Sequence, residues 1–439
     1  MASTYLQRTE SAGNRRTFTW SAWIKRSKLG ASQFLAACSH SSSDEAYFFF
    51  NGSDKLIWQS SSASYGDVQT NRVFRDTNSW YHIVLAVDTT QATASNRIRF
   101  YVNGVEETSF STATYPAQDT QVYWNVGGSY YPRIGRRHAA SDYFDGVMSH
   151  IAHIDGTQEL PTIFGETDST TGEWKIKTSI TPSSGWGTNG YHILKDGNSV
   201  TDQSGQSNNW TVQGGTLTKT EDSPSNVFAT WNPLAAHPSN TPTFSNGNNT
   251  VVGVDTSSQT VSSTLAMPSK GKWYCEMKLT QEANATSSIP NFGIIDAASL
   301  YKFRNQELIS YNGGVNSYGG RVNSTNLYVD GSSSGTISSA PDVGNIMGLA
   351  VDLDSSPNTL KYYLNGSLVG TQNINNDEYV FACSIKNDNN AGQVDVNFGN
   401  GYFGTTAVSS AGTNASGNGI FEYDVPNGYT ALSTKGLNL

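Results

Sequence analysis

Cysteine is scarce. The 439 residues hold three, Cys38, Cys275 and Cys383, each inside a predicted strand and far from the others. An odd number without paired spacing supplies neither a disulfide framework nor a zinc site. Charge is thin as well, at 14% of residues, with 27 Lys and Arg against 36 Asp and Glu for a net charge of −9. Phosphate backbones need a concentrated positive footprint, and no long basic run exists, so nucleic acid is not expected as a partner. No apolar stretch is long enough for a signal peptide or a membrane span, so no membrane insertion is expected and the chain should be made in a cytoplasm without classical export. Heptads and collagen-like Gly-x-y runs are missing, which excludes a long fibre. There is no Gly-x-Ser-x-Gly elbow, His-Glu-x-x-His helix or phosphate loop, so no catalytic residues and no cofactor are assigned.

What is abundant points one way. Gly (42 residues), Ser, Thr and Asn crowd the connections, and aromatics reach 11%, with 22 Tyr and 10 Trp. Turn residues between short runs of aromatic and β-branched residues are the composition of an all-β chain. Alternation predicts strands at Phe18 to Ile24, Phe34 to Cys38, Ala46 to Asn51, Leu56 to Gln59, Trp80 to Asp88, Arg97 to Asn103 and Tyr143 to Asp155. The first of these, with Phe18, Trp20, Ala22 and Ile24 in register, should turn one face inward. One pattern occurs twice. Leu85-Ala86-Val87-Asp88 leads to Arg99-Phe100-Tyr101-Val102-Asn103-Gly104, and Leu349-Ala350-Val351-Asp352 leads to Lys361-Tyr362-Tyr363-Leu364-Asn365-Gly366. In each copy a strand ends at Asp, and a second strand ends in Asn-Gly, a dipeptide that accepts the positive φ of a type I′ hairpin turn. Two copies predict two tandem antiparallel jelly-roll β-sandwiches, not a solenoid.

The two halves carry different motifs. Phe18-Thr19-Trp20-Ser21-Ala22-Trp23-Ile24, Trp80 to Asp88, Tyr101-Val102-Asn103-Gly104 and Tyr143-Phe144-Asp145-Gly146-Val147-Met148 resemble, in this order, laminin-G-like or concanavalin A-like lectin domains over residues 1–160. Residues 161–225 hold Trp174, Trp186, Tyr191 and Trp210 among Gly, Ser, Asn and Asp and are read as an ordered connector, with a short helical turn at Thr162 to Phe164. Within 226–439, Gly271 to Met277, Asn291-Phe292-Gly293-Ile294, Ile346 to Asp352, Tyr363 to Gly366 and Val396-Asn397-Phe398-Gly399 follow the order of SPRY-like sandwiches. The combination is similar to proteins of tailed phages of marine bacteria, some presumed virion components. That resemblance implies a non-enzymatic virion surface protein, on head or tail, which presents lectin-like sandwiches to a carbohydrate or host surface. Its implied partners are other virion proteins and a host glycan, with homo-oligomeric assembly. A purely structural decoration and a glycan hydrolase are the other readings.

Sugar sites combine flat aromatic faces with fixed amides, carboxylates or guanidinium groups. The segment 124–142 supplies both, which makes Trp124, Tyr130, Tyr131, Arg133, Arg136, Arg137, Asp142 and Tyr143 the candidate ligand-binding residues. Tyr301, Tyr311, Tyr318, Arg321 and Tyr328, on a polar segment of the second half, are candidate partner-binding residues. For hydrolysis, the nearest carboxylate string is Glu166-Thr167-Asp168 followed by Glu173, but its last gap is too long for alternate residues of one strand. His150 and His153 are expected on opposite strand faces, and no metal site is assigned.

Overall fold

The repeated Asp and Asn-Gly pattern marks the same structural device in two separate units. The computed structural model describes residues 3–41, 43–61, 65–139, 141–236, 239–282, 290–303, 306–308 and 316–438. It divides into one unit of residues 1–219 with 223–225 and another of 220–222 with 226–439. Asn103 and Gly104 have φ of 48° and 81°, and Asn365 and Gly366 have 47° and 81°, as a type I′ turn requires. Each Asn also pins the neighbouring strand. The Asn103 side chain accepts from the His82 N–H at 2.8 Å while its own N–H donates to His82 O at 2.9 Å. Asn365 does the same with Ile346, at 2.9 Å both ways.

The first unit contains β1 (Tyr5–Gln7), β2 (Thr17–Arg26), β3 (Gln33–Ser39), β4 (Glu45–Phe50), β5 (Lys55–Ser60), β6 (Asp67–Val73), β7 (Tyr81–Asp88) and β8 (Ile98–Val102). It continues with β9 (Val105–Glu106), β10 (Phe110–Thr114), β11 (Tyr131–Ile134), β12 (Gly146–Asp155), β13 (Gly165–Thr167), β14 (Trp174–Ile176), β15 (Tyr191–Ile193) and β16 (Thr211–Gln213). An eight-stranded sheet runs β10-β6-β5-β4-β3-β11-β1-β16, and a six-stranded sheet runs β15-β12-β2-β7-β8-β9. Their facing sides bury Phe18, Trp20, Phe48, Phe50, Trp58, Leu85 and Phe100 in one core. The architecture is therefore all-β and antiparallel, as the composition implies.

Three expectations are changed or sharpened. Strand β2 is buried on both sides, because its outward residues lie beneath the segment after β12. Trp23 stacks on His82, and His82 stacks on Trp174. The ordered connector expected over 161–225 packs on the first unit up to residue 219 and adds strands to its sheets: β15 pairs with β12, and β16 pairs with β1. The dispersed aromatics are what dock them, since Tyr191 and Trp210 belong to the first core, and Trp186 packs over Ala152 and Ile154. Finally, the stretch 124–142 is not all loop. Tyr131 to Ile134 form β11, inserted between β3 and β1, where Pro132 and Ile134 point inward and Tyr131 and Arg133 outward. A Pro inside so short an alternation hides the strand from pattern reading.

The second unit repeats the plan with different covers. One sheet is built through Thr243–Ser245, Thr250–Val252, Gln393–Asn397, Lys272–Gln281, Ile346–Asp352, Asn358–Leu364 and Ser367–Ile374, with Thr430–Ala431 parallel to Lys272–Gln281. The other runs Gln259–Ser262, Tyr379–Ile385, Asn291–Asp296, Ser317–Arg321, Asn326–Val329 and Ser332–Thr336. Trp231, Met277, Phe292, Leu349, Tyr362, Phe381 and Phe398 fill the space between. All three cysteines are buried and free.

Candidate functional site

A sheet face left without a cover is where a ligand can sit, so the outer faces decide the location. In the first unit, the six-stranded sheet is covered by Phe164, Ile163, Ile180 and Trp186. The outer face of the eight-stranded sheet carries instead a band of side chains set by strand alternation. Tyr5 and Gln7 come from β1, Tyr131 and Arg133 from β11, and Phe34 and Ser39 from β3. Glu45, Tyr47 and Phe49 come from β4, Ile57 and Gln59 from β5, and Asp67 from β6. Phe34 and Phe49 stack with centroids 4.6 Å apart and planes at 9°, and Tyr47 stands edge-on to both. Beside this platform runs a polar ladder. Tyr47 Oη donates to Gln59 Oε1 at 2.8 Å, and Gln59 Nε2 donates to Asp67 Oδ2 at 3.4 Å.

The loop after β11 lays two guanidinium groups on the same band. Arg136 lies 3.9 Å over the Tyr5 ring and donates to Tyr143 Oη, Arg137 O and His138 O. Arg137 sits over Phe34 and Tyr47 and donates to Glu45 Oε1 at 3.0 Å. Burial outweighs that pairing and raises the Glu45 carboxyl above its ordinary pKa. Glu45 Oε2, Arg137 Nε and His138 Nδ1 are buried there with no hydrogen-bond partner among the described residues.

The residues expected from sequence divide sharply. Tyr131, Arg136, Arg137 and Tyr143 lie on or beside this face. Arg133 also faces outward but is 6% exposed, held by Gln7 and Ser39, so it underlies the surface more than it forms it. Trp124 is a core residue, stacked on Phe18 at 5.4 Å and buried because its side chain points between the sheets. Tyr130 stacks on Tyr123 and tilts against His40 in a row that continues to Tyr65. Asp142 takes φ of 59° at the bend that returns the loop to the sheet and accepts from Ser141. Missed altogether were Tyr5, Phe34, Tyr47, Phe49 and Gln59. The alternation of Glu45-Ala46-Tyr47-Phe48-Phe49-Phe50, aromatic on both faces, was the signal available for them.

In the second unit Tyr318 is likewise core, 4% exposed, because its ring points inward against Tyr379. Arg321 stacks on Tyr328, Tyr301 is 65% exposed beside Lys302, and Tyr311 lies outside the described residues.

Two arrangements that could suggest catalysis do other things. Ser21 Oγ lies 2.9 Å from His82 Nε2, but Trp174 donates to His82 Nδ1, so the Nε2 carries the proton and donates to the serine. Burial pushes His82 down to about 3, and the imidazole cannot serve as a base toward that hydroxyl. On the outer face, Glu45 and Asp67 lie two strands and one inter-residue repeat apart, a Cα separation of roughly 12 Å from strand spacing and rise. Both carboxyls have partners, Glu45 in Arg137 and Asp67 in Gln59. The Glu166 to Glu173 string forms the β13–β14 hairpin, where Asp168 accepts from Thr170 and Thr171 and pairs with Lys175. His153 is bonded to Thr19 O and Asn125 inside the sandwich.

Residues 2–159 match the family described as the concanavalin A-like lectin/glucanases superfamily. The chain is also similar in structure to the SPRY domain of human HERC1, with 15% identity over 38% of this chain and 96% of that one, at a TM-score of 0.31. Carbohydrate binding module CBM66 from Bacillus subtilis matches with 13% identity over 38% of this chain and 92% of that one, at 0.25. A heptameric SAP-like pentraxin from Limulus polyphemus matches with 13% identity over 34% and 69%, at 0.25. Scores this low carry no functional argument. No curated protein matches the chain.

Proposed function

We propose that the protein is a non-enzymatic glycan-binding protein whose ligand lies across the outer face of the eight-stranded sheet in the first unit. The observation that carries this reading is the partly exposed pair Tyr47 and Phe49, with Phe34 buried beneath Arg137 at its edge and Gln59 and Glu45 alongside. Flat rings take the apolar face of a pyranose, while the amide, carboxylate and guanidinium groups take its hydroxyls. The likeness of residues 2–159 to a superfamily of lectins and glucanases supports a sugar ligand, and the geometry above favours binding over hydrolysis.

The setting we propose is a phage virion, with attachment to other virion proteins and to a host glycan, on the resemblance drawn from the motif order. Glycan-array binding by the full chain tests the first part. Binding should vanish when Tyr47 and Phe49 are both replaced by Ala in a protein that keeps its circular dichroism spectrum. Silence on the array, together with tight association with purified capsids, would replace adhesion by a structural role. Absence from purified particles would remove the virion setting.

A further inference from the structure

The charge on this face runs against the charge of the chain. The protein carries a net −9, yet Arg133, Arg136 and Arg137 converge on one end of the band. Their fields, with that of His40, add to the burial that holds His138 below its ordinary pKa. Among the described residues, neither Arg133 nor Arg136 has a carboxylate within ion-pair distance. Glu45, whose charge does reach Arg133, is already bonded to Arg137. Arg133 is 6% exposed, and a buried guanidinium without an ion pair of its own is costly to keep.

The donor geometry sharpens the point. Arg133 spends Nε on Gln7 and Nη1 on Ser39 and Tyr131 O, which leaves its Nη2 without a hydrogen bond among the described residues. Arg136 uses one N–H at each of its three nitrogens on Tyr143, Arg137 O and His138 O, and a guanidinium has five. Arg137 Nε is buried and unpaired. Neutral hydroxyls would meet some of these donors but would leave the charge uncompensated. A planar carboxylate meets both needs at once.

We infer that the glycan is acidic, its sugar carboxylates set against Arg136 and Arg137, with the charge of Arg133 beneath them, while its rings lie on Tyr47 and Phe49. This rests on the glycan-binding reading above. The test is calorimetric titration of the full chain with polygalacturonate, alginate and hyaluronate, each beside its carboxyl-reduced, neutral counterpart. At least one polyuronate should bind, its reduced form should bind about tenfold or more weakly, and added salt should weaken the acidic form only. Arg136→Gln, which leaves the Tyr5 contact to an amide on a partly exposed loop, should cost about tenfold against the polyuronate and clearly less against its reduced form, and equal losses against both would overturn the charge reading. Equal binding of the acidic and reduced forms would overturn the acidic class and leave the glycan face standing. Polyuronate binding that ignores both Arg136→Gln and the Tyr47 and Phe49 replacements would overturn the site. Failure of all six polymers would overturn the acidic class outright, and array binding of other glycans would then decide whether the face itself survives.

Discussion

Both units close one sheet in the same way and treat the other sheet differently. In the first unit, the sheet with the Asn103-Gly104 turn is covered by a later segment whose Trp174 ring lies where a Gly104 side chain would be, 2.5 Å from an added Cβ. In the second, the sheet with the Asn365-Gly366 turn is covered by the C-terminal segment, and Tyr423 lies 2.6 Å from the equivalent position on Gly366. Strand, turn and aromatic lid therefore recur as one device. The remaining sheets part company. In the second unit Phe303, Leu308 and Leu300 seal Ile295, Val380 and Ala382, whereas in the first unit, among the described residues, the loop carrying Arg136 and Arg137 lies over one end of the band and leaves Tyr47 and Phe49 partly exposed. A fold can repeat its architecture faithfully and still reserve one face for a ligand, and the partial cover identifies that face.

The largest effect that sharpens this contrast is expected at the sealed face. Phe303 is 1% exposed in the cover of the second unit, and Phe303→Ala should cost about 3 to 5 kcal/mol of that unit's stability by urea unfolding. A cost below about 1 kcal/mol would mean that the cover does not hold the sheet. The shared lid comes next. Gly104→Ala and Gly366→Ala each combine a positive φ with displacement of an aromatic ring, together about 3 kcal/mol. Similar losses from both would support one device used twice, and a loss from only one would break the parallel.

A pH effect of comparable or smaller size ties the same segments down. Glu10 and Glu276 are both held at about 7, against an ordinary 4.5, chiefly by burial. Glu276 accepts from the Glu422 and Tyr423 N–H groups at 2.9 Å, fastening the lid segment of the second unit, while Glu10 lies 3.8 Å from Arg8 and accepts from Cys38. Because the folded state keeps the proton longer than the unfolded chain, each group's contribution to stability is lost as pH rises from about 4.5 to about 7 and is constant above. Unfolding at pH 5 and pH 8 should show each unit less stable at the higher pH, by no more than about 3 kcal/mol from these groups. Glu276→Gln should flatten that slope in the second unit alone, and an unchanged slope would remove the assignment.

Sequence reading reached the architecture because the signals were local. Asn-Gly turns, alternation in β7 and β8, and the Asp at each strand end act over a few residues. Asp88 shows why the last is legible: burial would raise its pKa, but hydrogen bonds from Gln91, Thr90 and Thr17 outweigh it, so the carboxylate ends the strand by capping its own turn. The site was harder, because a sheet face is assembled from strands distant in the chain. Tyr131, Arg136, Arg137 and Tyr143 were visible as an aromatic and basic cluster, but Tyr5, Phe34, Tyr47 and Phe49 join them only through the β1-β11-β3-β4 order. Trp124 and Tyr318 show the converse error. An aromatic residue beside a polar loop looks like a surface group until the pleat turns it inward.

The smallest stability effect and the sharpest functional one are expected together at Tyr47. Its ring is partly exposed, makes edge contacts with Phe34 and Phe49, and gives one hydrogen bond to Gln59. Losing that bond and those contacts in Tyr47→Ala should cost about 1 to 2 kcal/mol, because the ring is partly exposed and water can refill its place. The same truncation at Phe303 leaves a dry cavity and costs more. If Tyr47→Ala unfolds the first unit as severely as Phe303→Ala unfolds the second, the Tyr47 band is structural packing and the contrast between the faces fails. A small stability loss accompanied by loss of glycan binding would place selection on the surface of that ring, which is what a partly exposed platform is for.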